Sequence, residues 1–119
     1  MRIAVSSSGD GLDAAVDPRF GRAAKFVIHD TDSSETQTVD NSEGERAAHG
    51  AGVQAAQTIS RMGADCLVTG HCGPKAFAAL SAAGITVYTG ASGTVAEAVE
   101  AVVEGRLAAA SSPDTQGGR

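Results

Sequence analysis

Between Asp65 and Gly105 short apolar runs alternate with helical ones, and this alternation constrains the fold more than any other feature of the chain. Asp65-Cys66-Leu67-Val68-Thr69 and Ile85-Thr86-Val87-Tyr88-Thr89 are apolar, rich in β-branched residues and too short for helices, so both read as strands. From Pro74 to Ala83 the sequence is helical, with Phe77 and Leu80 as its apolar stripe. Pro74 suits the first helical turn and Gly84 the exit. Thr94-Val95-Ala96-Glu97 has the form of a capping box and opens a helix carrying Val95, Val99 and Val102 to a stop at Gly105.

Upstream, Arg2-Ile3-Ala4-Val5-Ser6 is a β-branched run that ends in a Ser/Gly/Asp loop, a further strand. Residues 7 to 22 show no sustained period and are broken by Gly9, Gly11, Pro18 and Gly21. A loop of this length in a small domain is commonly functional, and its breakers predict mobility when no ligand is bound. Lys25 to Asp30 and Thr36 to Asn41 flank the polar turn Thr31–Glu35 as a β-hairpin, with Phe26 and Ile28 on one face and Val27 and His29 on the other. From His49 to Met62 a helical pattern sets Val53, Ala56 and Ile59 on one face, with Gly63 as its stop. The expected fold is a three-layer α/β domain over residues 1–107 with a mixed sheet, the hairpin supplying the antiparallel strand. Residues 108–119 contain Pro113, two glycines and no large apolar residue, and are expected to form a disordered tail.

Composition narrows the function. Of 119 residues, 15 are Gly and only 3% are aromatic, which predicts close backbone packing rather than a core filled by rings. The formal charge of −5 and the absence of a Lys/Arg block argue against nucleic acid or an anionic membrane as partner. No apolar run approaches the roughly 20 residues of a bilayer span, and no signal-peptide core follows Met1, so a cytoplasmic location is expected. Cys66 and Cys72 stand on an extended stretch, too far apart for a disulfide. Cys66 reads as a small core residue.

The richest stretch is Thr69-Gly70-His71-Cys72-Gly73-Pro74-Lys75, which leaves a strand end and enters a helix, the edge where open α/β sheets hold ligands. A helix N-terminus there favours an anion and favours thiolate over thiol at Cys72. Gly70 and Gly73 permit close approach, and His71 and Cys72 offer one nitrogen and one sulfur ligand; the alternative is a tight turn with an exposed His and a capping Cys. His49, before Gly50-Ala51-Gly52, faces the same cavity if both helices start at one sheet edge; otherwise it is a solvated His at a helix start. Arg19-Phe20-Gly21-Arg22 sets two guanidiniums about an aromatic, a clamp for a delocalised anion or else surface charge, with Asp13 and Asp17 as structural partners. The chain has no P-loop, no complete dinucleotide fingerprint and no Cys-x-x-Cys.

Met1-Arg2-Ile3-Ala4-Val5-Ser6-Ser7, Leu12-Asp13 with Arg19-Phe20-Gly21-Arg22, Gly50-Ala51-Gly52, Gly70 with Gly73-Pro74-Lys75-Ala76-Phe77, and Ala83-Gly84-Ile85-Thr86-Val87-Tyr88 occur in a recognisable order and spacing. In these the chain resembles the dinitrogenase iron–molybdenum cofactor biosynthesis (nitrogenase accessory factor) family over about residues 1 to 107. It is most similar to the short stand-alone members, which include a carrier of a molybdenum–copper sulfide cluster. The resemblance implies a ribonuclease-H-like α/β/α fold with a five-stranded mixed sheet and one antiparallel strand. It also implies binding of an anionic metal–sulfur cluster (Mo/Fe/S or Mo/Cu/S) rather than enzymatic turnover. Cofactor-assembly proteins or P-loop ATPases are the partners that family context suggests. The residues expected to hold the cluster are Arg19, Phe20, Gly21, Arg22, Gly50, Gly52, Gly70, Gly73 and Lys75, with His71, Cys72 and His49 as metal ligands. Two other functions are open to the residues: an enzyme with Cys72 as nucleophile and His71 or His49 as base, and a protein-binding regulatory module.

Overall fold

The computed structural model describes residues 1–46 and 49–111. Five strands form one sheet: β1 (Arg2–Ser7), β2 (Lys25–Asp30), β3 (Thr36–Asp40), β4 (Cys66–Val68) and β5 (Thr86–Tyr88). Their order is β3-β2-β1-β4-β5, with β4 parallel to both β1 and β5. β2 runs antiparallel to β1 and to β3, so it alone opposes the other four. The mixed α/β sheet with a single reversed strand is therefore the one expected, and the hairpin supplies the reversal.

Alternation along the strands divides the apolar residues between two faces. Ala4, Phe26, Ile28, Leu67 and Val87 face a core with Ala55, Ala56 and Ile59 of α2 (Ala51–Arg61) and Ala76 and Leu80 of α3 (Pro74–Ala82). Ile3, Val5, Val27, Cys66 and Val68 face Val95, Ala98 and Val99 of α4 (Val95–Val103). Full burial of a side chain such as Ile59, Leu67 or Leu80 stabilises the fold by about 1.5–3 kcal/mol. Alanine fills much of the α2 and α3 faces, which lets both helices sit close to the sheet. Val53 is half-buried, and Ala55 takes the core position beside Ala56 that the helical pattern had given to it.

Several boundaries differ from the expectation for identifiable reasons. A short helix α1 (Ser42–Arg46) follows β3; its sequence has no apolar periodicity that would announce it. Residues 7–22 are tied down by backbone bridges, one within the segment and two to remote ones. Ser7 bridges Val16, Ala15 bridges Thr94 and Arg19 bridges His71. Residues 108–110 also run against the sheet: Ala109 bridges Tyr88 and the Ala110 N–H donates to the Val87 carbonyl at 2.7 Å. The rest of the expected tail, from residue 112, lies outside the described residues.

Candidate functional site

The carboxyl ends of β1 and β4 point towards one rim. From β1 the chain enters the 7–22 segment, and from β4 it passes through Gly70-His71-Cys72-Gly73 into α3. These two connections are zipped together in a parallel bridge. The His71 N–H donates to the Pro18 carbonyl at 2.7 Å, and the Phe20 N–H donates to the His71 carbonyl at 3.3 Å. Gly70 makes this approach possible: a Cβ there would lie 2.7 Å from Pro18 Cα and 2.8 Å from Pro18 O.

The aromatic of the Arg-Phe-Gly-Arg stretch turns inward. Phe20 is buried and its ring packs at a tilt on Phe26, with centroids 5.4 Å apart. That anchor holds Arg19 exposed and Arg22 half-buried on either side of it. Gly21 then presses onto the start of α2, where an added Cβ would meet Gly52 N at 2.6 Å. Gly52 in turn faces Ala76 of α3, and a Cβ on it would lie 2.8 Å from the Ala76 Cβ. Asn41 supports the same loop by donating to the carbonyls of Gly21 (3.2 Å) and Ala23 (2.8 Å).

The result is a hollow of about 580 Å³ between the 19–22 loop and the N-termini of α2 and α3. Arg19, Phe20, Gly21, Arg22, Gly52, His71, Gly73 and Lys75 line it, as do Ala51, Pro74 and Ala76. Its volume falls within the roughly 300–1,000 Å³ usual for small-ligand sites. Three basic residues line it and, among the described residues, no carboxylate does, although the chain carries a net −5. A unit charge pair at 4 Å is worth between about 1 kcal/mol in bulk water and about 4 kcal/mol near a protein surface, and Arg19 meets part of that demand through its own pair with Asp17 at 3.4 Å.

The helix ends reinforce it. α2 begins after Gly50 and α3 after Gly73, neither with a side-chain cap nor with an acidic residue in its first turn. Their first amides have no acceptor within the helix and carry the positive end of its dipole. α4 is closed off by contrast. Thr94 and Glu97 form the reciprocal capping box, and the Val95 and Ala96 amides donate to the carbonyls of Ala14 (2.8 Å) and Leu12 (2.9 Å).

Of the three metal-ligand candidates, His71 alone lines the hollow. Cys72 points the other way, fully buried among the residues of the α2/α3 core, because its neighbours His71 and Gly73 take the outward positions of the turn. His49 is exposed and outside the lining, one residue ahead of the turn into α2. Gly50 adopts φ +74 at that turn and also lies outside the lining, while Gly70 is buried beneath Pro18. Among the described residues no three His, Cys, Asp or Glu side chains come together to hold a metal ion. Neither cysteine forms a disulfide, both are buried, and burial pushes the Cys66 thiol up to about 11. Ala51, Pro74 and Ala76 carry no chemical signal in the sequence as a binding surface; only packing brings them to the hollow.

The profile of the family described as "Dinitrogenase iron-molybdenum cofactor" matches residues 1–105. The chain belongs to this family. The apo form of the orange protein from Desulfovibrio gigas superposes with a TM-score of 0.93 at 48% identity, covering 96% of each chain. A putative NifB protein from Thermotoga superposes with a TM-score of 0.84 at 37% identity over 97% of each chain. An uncharacterized protein of Methanocaldococcus jannaschii is 29% identical over 109 residues, 90% of this chain and 89% of the relative. The family and these neighbours associate the fold with binding or assembly of a metal-containing cofactor. No helix among the described residues is long and apolar enough to cross a membrane.

Proposed function

We propose that the chain binds an anionic metal–sulfur cluster in the hollow between α2 and α3 and carries it as a cytoplasmic accessory of cofactor assembly, without turnover. The observation that carries this reading is the convergence of Arg19, Arg22, Lys75 and two uncapped helix N-termini on one hollow that no carboxylate among the described residues lines. The cluster is cargo, either of the Mo/Fe/S or of the Mo/Cu/S type. Its surface sulfides accept hydrogen bonds from the guanidiniums, the ammonium and the helix-end amides. Among the described residues of the lining, His71 is the one whose side chain can also ligate a metal. Phe20, Pro74 and the alanines exclude water from the guest's inner side.

Enzymatic use of Cys72 has little to support it, since a nucleophile must reach its substrate and this thiol is enclosed in the core. Charge and hydrogen bonds therefore carry the recognition in this reading, with at most one protein ligand to the metal.

Anaerobic reconstitution tests it, once with ferrous iron and sulfide and once with tetrathiomolybdate and cuprous copper. One of the two feeds is expected to give a coloured complex of fixed stoichiometry that co-elutes with the chain. The combined variant Arg19→Ala, Arg22→Ala, Lys75→Ala is expected to lose it while remaining folded. No coloured complex from either feed, or undiminished uptake by the variant, contradicts the reading.

A further inference from the structure

We infer that Asp17 is a positioning residue: its buried carboxylate holds the Arg19 guanidinium by one edge and so presents the remaining N–H groups to the guest. The inference rests on the cradle reading above. The Asp17 side chain is only 8% exposed, and a carboxylate so buried is kept only where donors satisfy it. Asp17 Oδ1 accepts from the Arg19 backbone N–H at 2.9 Å and from its Nε–H at 3.4 Å. The first bond closes an Asx-type turn over Pro18. The second occupies Nε and leaves both terminal nitrogens of the guanidinium fork for another acceptor.

What makes this a mount rather than a surface ion pair is the support behind it. The Asp17 N–H donates to the Ser6 carbonyl at 2.9 Å, and Ser6 Oγ donates to the Asp17 carbonyl at 2.7 Å. Ser6 Oγ also shares a hydrogen bond of 2.8 Å with Thr69 Oγ1. Ser6 and Thr69 are fully buried, Ser6 near the carboxyl end of the central strand β1 and Thr69 just past that of its neighbour β4. The chain of contacts thus runs from the centre of the sheet through Asp17 to an arginine whose side chain is 59% exposed at the hollow. An arginine this exposed ordinarily loses considerable rotamer freedom on binding; one held at Nε has lost much of it in advance. Asp17 also subtracts charge from the rim, so two effects oppose each other. The inference is that orientation outweighs charge.

Asp17→Asn decides this, because it keeps an oxygen for the Arg19 backbone N–H and removes the charge that grips Nε. Without guest, the Arg19 Nε–H is expected to give a resolved, exchange-protected ¹⁵N–¹H signal in the wild type and to lose it in the variant. Titration with whichever feed colours the wild type, tetrathiomolybdate plus cuprous copper or ferrous iron plus sulfide, should show binding weakened about three- to tenfold by Asp17→Asn. In an Arg19→Ala background the same change should cause no further loss. Binding by Asp17→Asn as tight as or tighter than wild type overturns the inference about Asp17 alone. So does an equal loss in both backgrounds, which a merely structural role would produce. A wild type that takes up no guest overturns the cradle reading itself, and with it the role given to Asp17.

Discussion

The hollow exists because Gly21 lets the 19–22 loop touch the first turn of α2, and Gly21→Ala tests that contact. The added Cβ would lie 2.6 Å from Gly52 N, 2.8 Å from Gly52 Cα and 2.9 Å from the Ala51 carbonyl carbon. All three are backbone atoms, so no side-chain rotation relieves the clash and the loop must move off the helix. Overpacking of this kind costs about 1–3 kcal/mol. At about 2.1 cal/mol/K per residue, a chain of 119 residues loses about 4 °C of Tm per kilocalorie, so a fall of roughly 4–12 °C is expected by differential scanning calorimetry. Gly73→Ala is the matched control on the opposite wall. Its φ of −72 suits any residue and its Cβ would meet nothing within 4 Å. That variant should stay within about 1 kcal/mol of the wild type, the gain through the unfolded state being offset by alanine's poorer fit at the N-cap of α3. Equal stability of Gly21→Ala and Gly73→Ala would refute the close-approach argument.

Three further outcomes follow from named contacts. Thr94→Ala removes the capping box of α4 and should cost about 1 kcal/mol in urea denaturation, with no change in guest binding. Asn41→Ala deprives the Gly21 and Ala23 carbonyls of their donor and should cost about 1–3 kcal/mol while loosening the guest-binding loop, read as weaker uptake. Cys66 has a thiol pKa raised above its unfolded value near 9 to about 11, through burial first and the neighbouring Asp65 charge second. Its contribution to stability is therefore complete below pH 9 and is lost as the pH rises from 9 towards 11. A Cys66→Ser or Cys66→Ala variant should lack this part of the alkaline decline in a pH series of melting curves.

How much of this could be read without coordinates depended on whether the signal was local. The capping box at Thr94, the Pro74 start of α3 and the strand-length runs at Cys66 and Thr86 are contiguous patterns, and the structure shows each in place. The order of residues 7–22 was illegible, because it comes from backbone bonds to Gly93, His71 and the start of α4, dozens of residues away. The inward turn of Cys72 was hidden for a related reason. Its neighbours are His and Gly, which mark a turn but do not say which of its residues faces the core. At the candidate site, the paired guanidiniums singled out Arg19 and Arg22 and the family resemblance added Gly52 and Lys75, and the structure gathers all four at one hollow. Ala51, Pro74 and Ala76 join them through packing alone. Asp17 stood out only as a possible ion-pair partner, since its tether to Ser6 and Thr69 depends on the sheet being formed.

The most direct test of the anion cradle is a ¹H–¹⁵N shift map of the chain before and after anaerobic loading with the guest that colours it. The account predicts that the largest changes fall on the amides of Ala51, Gly52, Lys75 and Ala76 and on the Arg19 and Arg22 side chains. The Val95 and Ala96 amides of α4, already bonded to Ala14 and Leu12, should stay still. Changes centred on α4, or spread evenly over the surface, would contradict it.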